Sequence, residues 1–181
     1  MLFDIKEIGD EGLSLNLPVT AAWLAAECPD LDAVPTGGAL RVRGQLLLSG
    51  DDVFLRGTLR GVLETTCSRC LEKAKVPLDI PLNVTFRPRD EGKDATDDDD
   101  DDDEEEEDLD VALYEGDEIN LAPEIRDQIF LTFPLKALCR EDCLGLCSVC
   151  GGNRNQNPCD CESHQEASRT PLAAALQKLK T

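Results

Sequence analysis

The sequence predicts an α+β fold: an antiparallel β-sheet, open or barrel-like, with one or two packed helices and a cysteine-rich C-terminal segment. Three observations lead there. Apolar and polar residues alternate over residues 40–64 and 76–86, the period of half-buried strands. Helical spacing is confined to short stretches near residues 20–27, 120–133 and 170–180. Eight of the nine cysteines gather in two places, first Cys67 and Cys70, then Cys139, Cys143, Cys147, Cys150, Cys159 and Cys161.

The elements follow in order. Phe3 and Ile5 alternate with Asp4 and Lys6, and Leu13, Leu15 and Leu17 alternate with Ser14 and Asn16. Gly9-Asp10-Glu11-Gly12 between them predicts a hairpin. Thr20 to Glu27 forms a short Ala-rich helix stopped by Pro29, with Trp23 as its expected core anchor. Leu40, Val42, Leu46 and Leu48 then face inward, as do Val53, Leu55, Leu59 and Leu63 after a turn at residues 49–52. The outward positions hold Arg41, Arg43, Arg56 and Arg60. The second of these strands runs straight into Cys67-Ser-Arg-Cys70. A return strand alternates from Val76 to Phe86, and its Pro77 and Pro81 lack ladder donors, which predicts an edge or a bend. Val111 to Tyr114 reads as a short strand. Asn120 is expected to cap a helix with Pro123 in its first turn and Leu121, Ile125 and Ile129 on one face. Phe133-Pro134 ends it, and a last helix is expected from Thr170-Pro171.

Charge divides the chain further. It carries 18 basic and 38 acidic side chains, a formal charge of −20. Sixteen of those acids and a single lysine lie between Asp90 and Asp110, so this stretch alone contributes −15. Asp97 to Asp108 is an unbroken run of carboxylates; self-repulsion and the lack of apolar groups predict a disordered loop. The expected organisation is therefore a β-rich core over 1–89, an acidic loop over 90–110, a strand and helix completing the core over 111–138, and a cysteine-rich segment with a final helix over 139–181.

Sulfur at this density means disulfides or a metal. The N-terminus, MLFDIKEIGDEG, lacks the basic and apolar regions of an export signal. The apolar run Ala21–Ala26 is far short of the ~20 residues that span a membrane. A cytoplasmic chain with reduced thiols is expected. Thiols two residues apart in such a chain suit tetrahedral Zn²⁺. Cys147, Cys150, Cys159 and Cys161 are close enough to close one site locally, with Gly151 and Gly152 easing the turn. Cys67 and Cys70 would then pair with Cys139 and Cys143. Four thiolates fill the tetrahedron, so one or two structural zinc sites are expected rather than a catalytic one. The alternative is a single zinc with the other thiols simply buried.

Two arguments bear on function before any resemblance. From Ala39 to Lys75 there are seven basic and four acidic residues, and Arg41, Arg43, Arg56 and Arg60 form a candidate RNA-binding patch that can clamp phosphates. Exposed strands ordinarily carry basic residues, and aromatics for base stacking are only 4% of the chain. Contact with protein, or with protein and RNA, is therefore favoured over autonomous reading of an RNA sequence. An enzyme is the competing class, either a dithiol oxidoreductase at Cys67-x2-Cys70 or a zinc-dependent hydrolase. The thiol pair is not followed by a helix that would activate it. His164, the single histidine, sits in a polar tail, and HExxH, GxSxG and a glycine-rich phosphate loop are all missing. No small-molecule substrate and no membrane partner are expected. A third option makes the acidic run the active part of a scaffold.

The order of motifs carries a resemblance. Cys67-Ser-Arg-Cys70 is followed by Ile119-Asn-Leu-Ala-Pro-Glu-Ile-Arg126, by Phe133-Pro-Leu-Lys136, and by Cys139-x3-Cys143-x-Gly-Leu-Cys147-x2-Cys150-Gly-x-Asn153-x-Asn155 with Cys159-x-Cys161. Over about residues 60–180 this is similar to the YceD family, named for accumulation of large-subunit ribosomal RNA. Members often have Asn-Leu-Asn where this chain has Asn153-Arg-Asn155, and the acidic run is longer than is usual. The resemblance implies a bacterial-type or organellar factor, not an enzyme, that supports 23S rRNA synthesis, processing or stability. It implies large-subunit rRNA or ribosomal assembly proteins as partners, and no catalytic residues.

Overall fold

A computed structural model of the chain describes residues 1–89 and 110–161. The acidic run Asp97–Asp108 and the helix expected from Thr170 lie outside the described residues. Two compact units emerge. Among the described residues, the first comprises Met1–Glu64, 76–89 and 110–135; the second comprises Thr65–Lys75 and 136–161.

The first unit is mostly β. Strands β1 (Leu2–Asp4), β2 (Leu13–Val19), β3 (Ala33–Pro35), β4 (Leu40–Ser49), β5 (Asp52–Thr66), β6 (Lys73–Pro88), β7 (Asp110–Tyr114) and β8 (Glu118–Asn120) alternate with helices α1 (Ala21–Glu27) and α2 (Ala122–Thr132). The main sheet runs β2-β4-β5-β6-β7, with β3 also paired to β5. It is open, and does not close into the barrel that the sequence left available. Leu24 of α1 and Ile125 and Ile129 of α2 join the sheet's inward residues in one core, so the apolar face is buried without closure.

Three other expectations need correction. The N-terminal hairpin does not form. Asp4 accepts a hydrogen bond from the backbone N–H of Lys6 and caps a 3₁₀ turn at Ile5–Glu7, which ends β1 early. β1 then pairs with β8 (Phe3 opposite Ile119), while β2 pairs with β4 (Leu15 opposite Gly44). The main sheet is also not wholly antiparallel, because β7 lies parallel to β6. Finally, Trp23 is only partly buried, and Leu24 is the side chain α1 buries.

Elsewhere local chemistry explains the elements. Thr20 accepts from the N–H of Trp23 and caps α1. The Asn120 side chain accepts from the N–H of Ala122 at 3.1 Å, so it caps α2 from one residue before the N-cap position, held by Leu121. Leu121, Ile125 and Ile129 are all fully buried. Pro77 and Pro81 fall where β6 has no β7 beside it, since that pairing begins only at Val84, so they lie where β6 is not flanked on both sides by the main sheet. Gly44 and Gly57 stand opposite each other on β4 and β5. A Cβ on Gly44 would lie 2.4 Å from the Arg56 carbonyl oxygen, so this close approach of the strands requires glycine.

Candidate metal centres and an arginine face

The second unit is organised by two turns of identical backbone pattern. In Cys67-Ser-Arg-Cys70, the Cys67 N–H donates to the Glu72 carbonyl at 2.7 Å and the Leu71 N–H donates to the Cys67 carbonyl at 3.0 Å. In Cys147-Ser-Val-Cys150, the Cys147 N–H donates to Gly152 at 2.8 Å and the Gly151 N–H donates to Cys147 at 2.9 Å. Both turns need a positive φ at the residue after the second cysteine, 62° at Leu71 and 70° at Gly151. Each thus aims two sulfurs at one point.

Each pair is completed by two more cysteines. Cys67, Cys70, Cys139 and Cys143 form one set, and Cys147, Cys150, Cys159 and Cys161 the other; within each set the sulfurs lie within 4.8 Å of one another. This is the grouping the spacing argument arrived at. Cys67 Sγ is 3.8 Å from Cys143 Sγ, Cys70 Sγ is 3.5 Å from Cys139 Sγ, and Cys150 Sγ is 3.8 Å from Cys159 Sγ. A disulfide needs about 2.05 Å. Four sulfurs each about 2.3 Å from a central Zn²⁺ stand about 3.8 Å apart. Both sets can hold a metal ion.

Their acid–base character fits a cation as well. Burial pushes the Cys67 thiol up, but the backbone N–H groups of Cys70, Arg69 and Cys139 outweigh it and bring it to about 6. Cys139 goes the other way, to about 12, chiefly through its hydrogen bond with Cys70 and then through burial. In the second set the N–H groups of Cys150 and Val149 lower Cys147 to about 6. Cys161 is pushed to about 12 by Cys150 and Cys159. In the first set Cys143 is lowered as well, burial being outweighed by the Asn155 side chain and the Gly145 N–H, while Cys70 and Cys139 are raised. In the second set Cys159 and Cys161 are raised beside Cys147, because a further negative charge so close is repelled. A divalent ion at the centre would remove that repulsion and hold all four as thiolates. Cys28, the ninth cysteine, is buried in the hydrophobic core of the first unit and belongs to neither set.

Asn153 and Asn155 belong to the sequence motif, which gives them no role. The Asn155 Nδ2 donates to Cys143 Sγ at 3.4 Å and to Asn153 Oδ1 at 2.9 Å. Its Oδ1 accepts from the Leu144 N–H at 2.8 Å and from Arg140 Nη2 at 2.7 Å. The only signal in the sequence was two polar amides one residue apart inside a cysteine loop.

In the first unit the four arginines are exposed, as alternation predicts. Arg41 stands directly opposite Arg60; the next two pairs on the same face are Arg43 with Thr58 and Gln45 with Arg56. Arg41 donates to Asn16 at 3.3 Å, and Arg60 forms an ion pair with Asp79 at 2.8 Å. The structure therefore brings the four onto one strand pair and partly neutralises one of them.

Residues 55–180 match the model of the family described as large ribosomal RNA subunit accumulation protein YceD. The chain belongs to the YceD family. It is 30% identical over 149 residues to the chloroplastic large ribosomal RNA subunit accumulation protein YCED homolog 1 of Arabidopsis thaliana, covering 73% of this chain and 46% of that protein. The Zea mays protein of the same description is 32% identical over 160 residues, which cover 75% of this chain and 55% of that one. An uncharacterized protein of Mycobacterium leprae is 28% identical over 153 residues, 83% of this chain and 66% of its own. The chain thus spans about half the length of the two plant YceD relatives. No solved structure matches. The YceD match contains both cysteine sets and, of the four arginines, Arg56 and Arg60. No helix among the described residues is long and apolar enough to cross a membrane.

Proposed function

We propose that this chain is a non-enzymatic cytoplasmic factor in large ribosomal subunit assembly, supporting the synthesis, processing or accumulation of 23S rRNA. It acts through contacts with rRNA, with ribosomal assembly proteins, or with both. Membership of a family named for large-subunit rRNA accumulation carries this reading.

Physical chemistry adds support at both candidate sites. Like charges directly opposite on neighbouring strands destabilise a sheet. Arg41 and Arg60 are so placed, with Arg43 and Arg56 on the same face; a polyanion laid across this face offsets the repulsion and uses it. The eight thiols are assigned to two structural Zn²⁺ ions, which supply folding energy to their surroundings and leave no coordination position for substrate. Cys67 is fully buried, whereas thiol exchange requires an accessible attacking sulfur. That disfavours the dithiol oxidoreductase.

The test is binding of 23S rRNA fragments to the wild type and to a variant with Arg41, Arg43, Arg56 and Arg60 all changed to Ala, across a range of salt. Each phosphate contact contributes roughly 0.7–0.9 to the slope of log K against log salt. The variant is expected to lose about two to three units of slope, since Arg60 is already paired to Asp79. An unchanged slope removes this face as the contact surface.

A further inference from the structure

We propose that Asn155 couples the two metal centres, so that the loop closed by the second set completes the environment of the first. The inference rests on the two-zinc reading above and deepens it.

Asn155 lies in the loop between Cys150 and Cys159, both ligands of the second set. Its side chain, however, serves the first. The Nδ2 group donates to Cys143 Sγ at 3.4 Å. A donor of this kind spreads the negative charge of a metal-bound thiolate and fixes its direction. Partners of metal ligands commonly change metal affinity about 10–100-fold when removed. The Oδ1 atom holds the chain on either side of Cys143, through the Leu144 N–H and the Arg140 guanidinium. The amide is fully used and its orientation follows: the donor end faces sulfur, and the acceptor end faces the two N–H donors.

The loop that presents Asn155 is itself held by the second set. Asn153 Oδ1 accepts from the Asn155 N–H at 3.0 Å and from its Nδ2 at 2.9 Å, so the two asparagines lock each other. The Arg154 N–H donates to the Gly145 carbonyl at 2.9 Å, and Leu146 forms a bridge to Asn153. Leu146 in turn donates to the Arg69 carbonyl in the first turn, and Gln156 reaches Glu72 at 3.0 Å. An ion in the second set fixes both ends of this loop, at Cys150 and Cys159. Emptying it releases Asn155 from Cys143.

The measurement is exchange of bound zinc in the full chain for isotopically labelled zinc in excess under reducing conditions, which keeps both sets occupied throughout. Two phases are expected, a faster one from the second set, where Cys150 is exposed and Cys159 and Cys161 are half-buried, and a slower one from the first. Cys150→Ser, which removes the second site, assigns the phases; under the coupling it also accelerates release from the first set. Asn155→Ala and Asn155→Asp are expected to retain two ions yet speed the slow phase by about tenfold, with the fast phase within about twofold. Asn155→Asp keeps the acceptor for Leu144 and Arg140 and puts an oxygen in place of the Nδ2 donor that faces Cys143 Sγ and Asn153 Oδ1. In the cobalt-substituted protein the same change should shift the sulfur-to-metal charge-transfer band of the first site. A wild-type slow phase and an unshifted band in Asn155→Asp would overturn the coupling while leaving the two ions in place. Substantially less than one zinc per chain in the wild type would instead overturn the metal reading on which it rests.

Discussion

Cys67-Ser-Arg-Cys70 and Cys147-Ser-Val-Cys150 make the same turn with the same two backbone hydrogen bonds, but the sets built on them differ in reach. The first takes its remaining sulfurs from residues 69 and 76 positions away and buries three of its four cysteines. The second closes within fifteen residues, and only Cys147 is buried. Holding distant segments together opposes more loop-closure entropy than closing a short loop. An ion held by the first set would therefore organise a whole unit, while one held by the second would organise one loop. One local motif thus serves two different purposes.

The largest expected effect separates these purposes. Cys143→Ser should lose an ion and open residues 136–161 to proteolysis as fully as a chelator does. Cys159→Ser should also lose an ion but expose only residues 147–161 to early cleavage. Zinc analysis with mass spectrometry of a short protease digest checks both. Equal cleavage in the two variants would break the distinction between a long-range and a local centre.

What could be read in advance follows the same division between local and distant. The turn at Cys147, helix α1 and the outward arginines depend on neighbours within a few residues, and alternation and spacing reveal them. Grouping Cys67 and Cys70 with Cys139 and Cys143 was also legible, by counting ligands rather than from any local pattern. The failed hairpin was a local signal overruled: Asp4 spends its carboxylate on a turn, and β1 finds a distant partner in β8. Direction was invisible for β7, since alternation does not distinguish parallel from antiparallel neighbours. Asn155 was unreadable for the reason that makes it useful, because its partner sulfur belongs to the other set.

A smaller effect sharpens the comparison at one residue. Leu71 holds the positive φ that Gly151 holds in the second turn. A side chain in that conformation costs roughly 1–2 kcal/mol, and Leu71 is 65% exposed, so it recovers little by burial. Leu71→Gly should stabilise the unit by up to about 1 kcal/mol once the greater freedom of unfolded glycine is subtracted. Gly151→Val should destabilise its turn by at least about 1–2 kcal/mol. Thermal unfolding of the zinc-loaded protein reads both. A loss in Leu71→Gly would mean that this leucine makes a contribution the two shared backbone bonds do not explain.

The smallest effect concerns the cysteine outside both sets. Burial lifts the Cys28 thiol above its ordinary 9.0, with the Arg126 guanidinium pulling weakly the other way. The fold therefore favours the neutral thiol. That stabilisation is complete below the unfolded value and is lost as pH rises through the higher folded one. As pH rises above the unfolded thiol value the wild type should lose stability faster than Cys28→Ala, although the variant starts about 1 kcal/mol lower from lost packing. Alkylation gives the matching contrast, because chelator should expose the eight clustered thiols while leaving Cys28 slow to react. Rapid labelling of Cys28 in the chelated protein would mean that unfolding spreads from the cysteine-rich unit into the hydrophobic core, and that the two units do not lose structure independently.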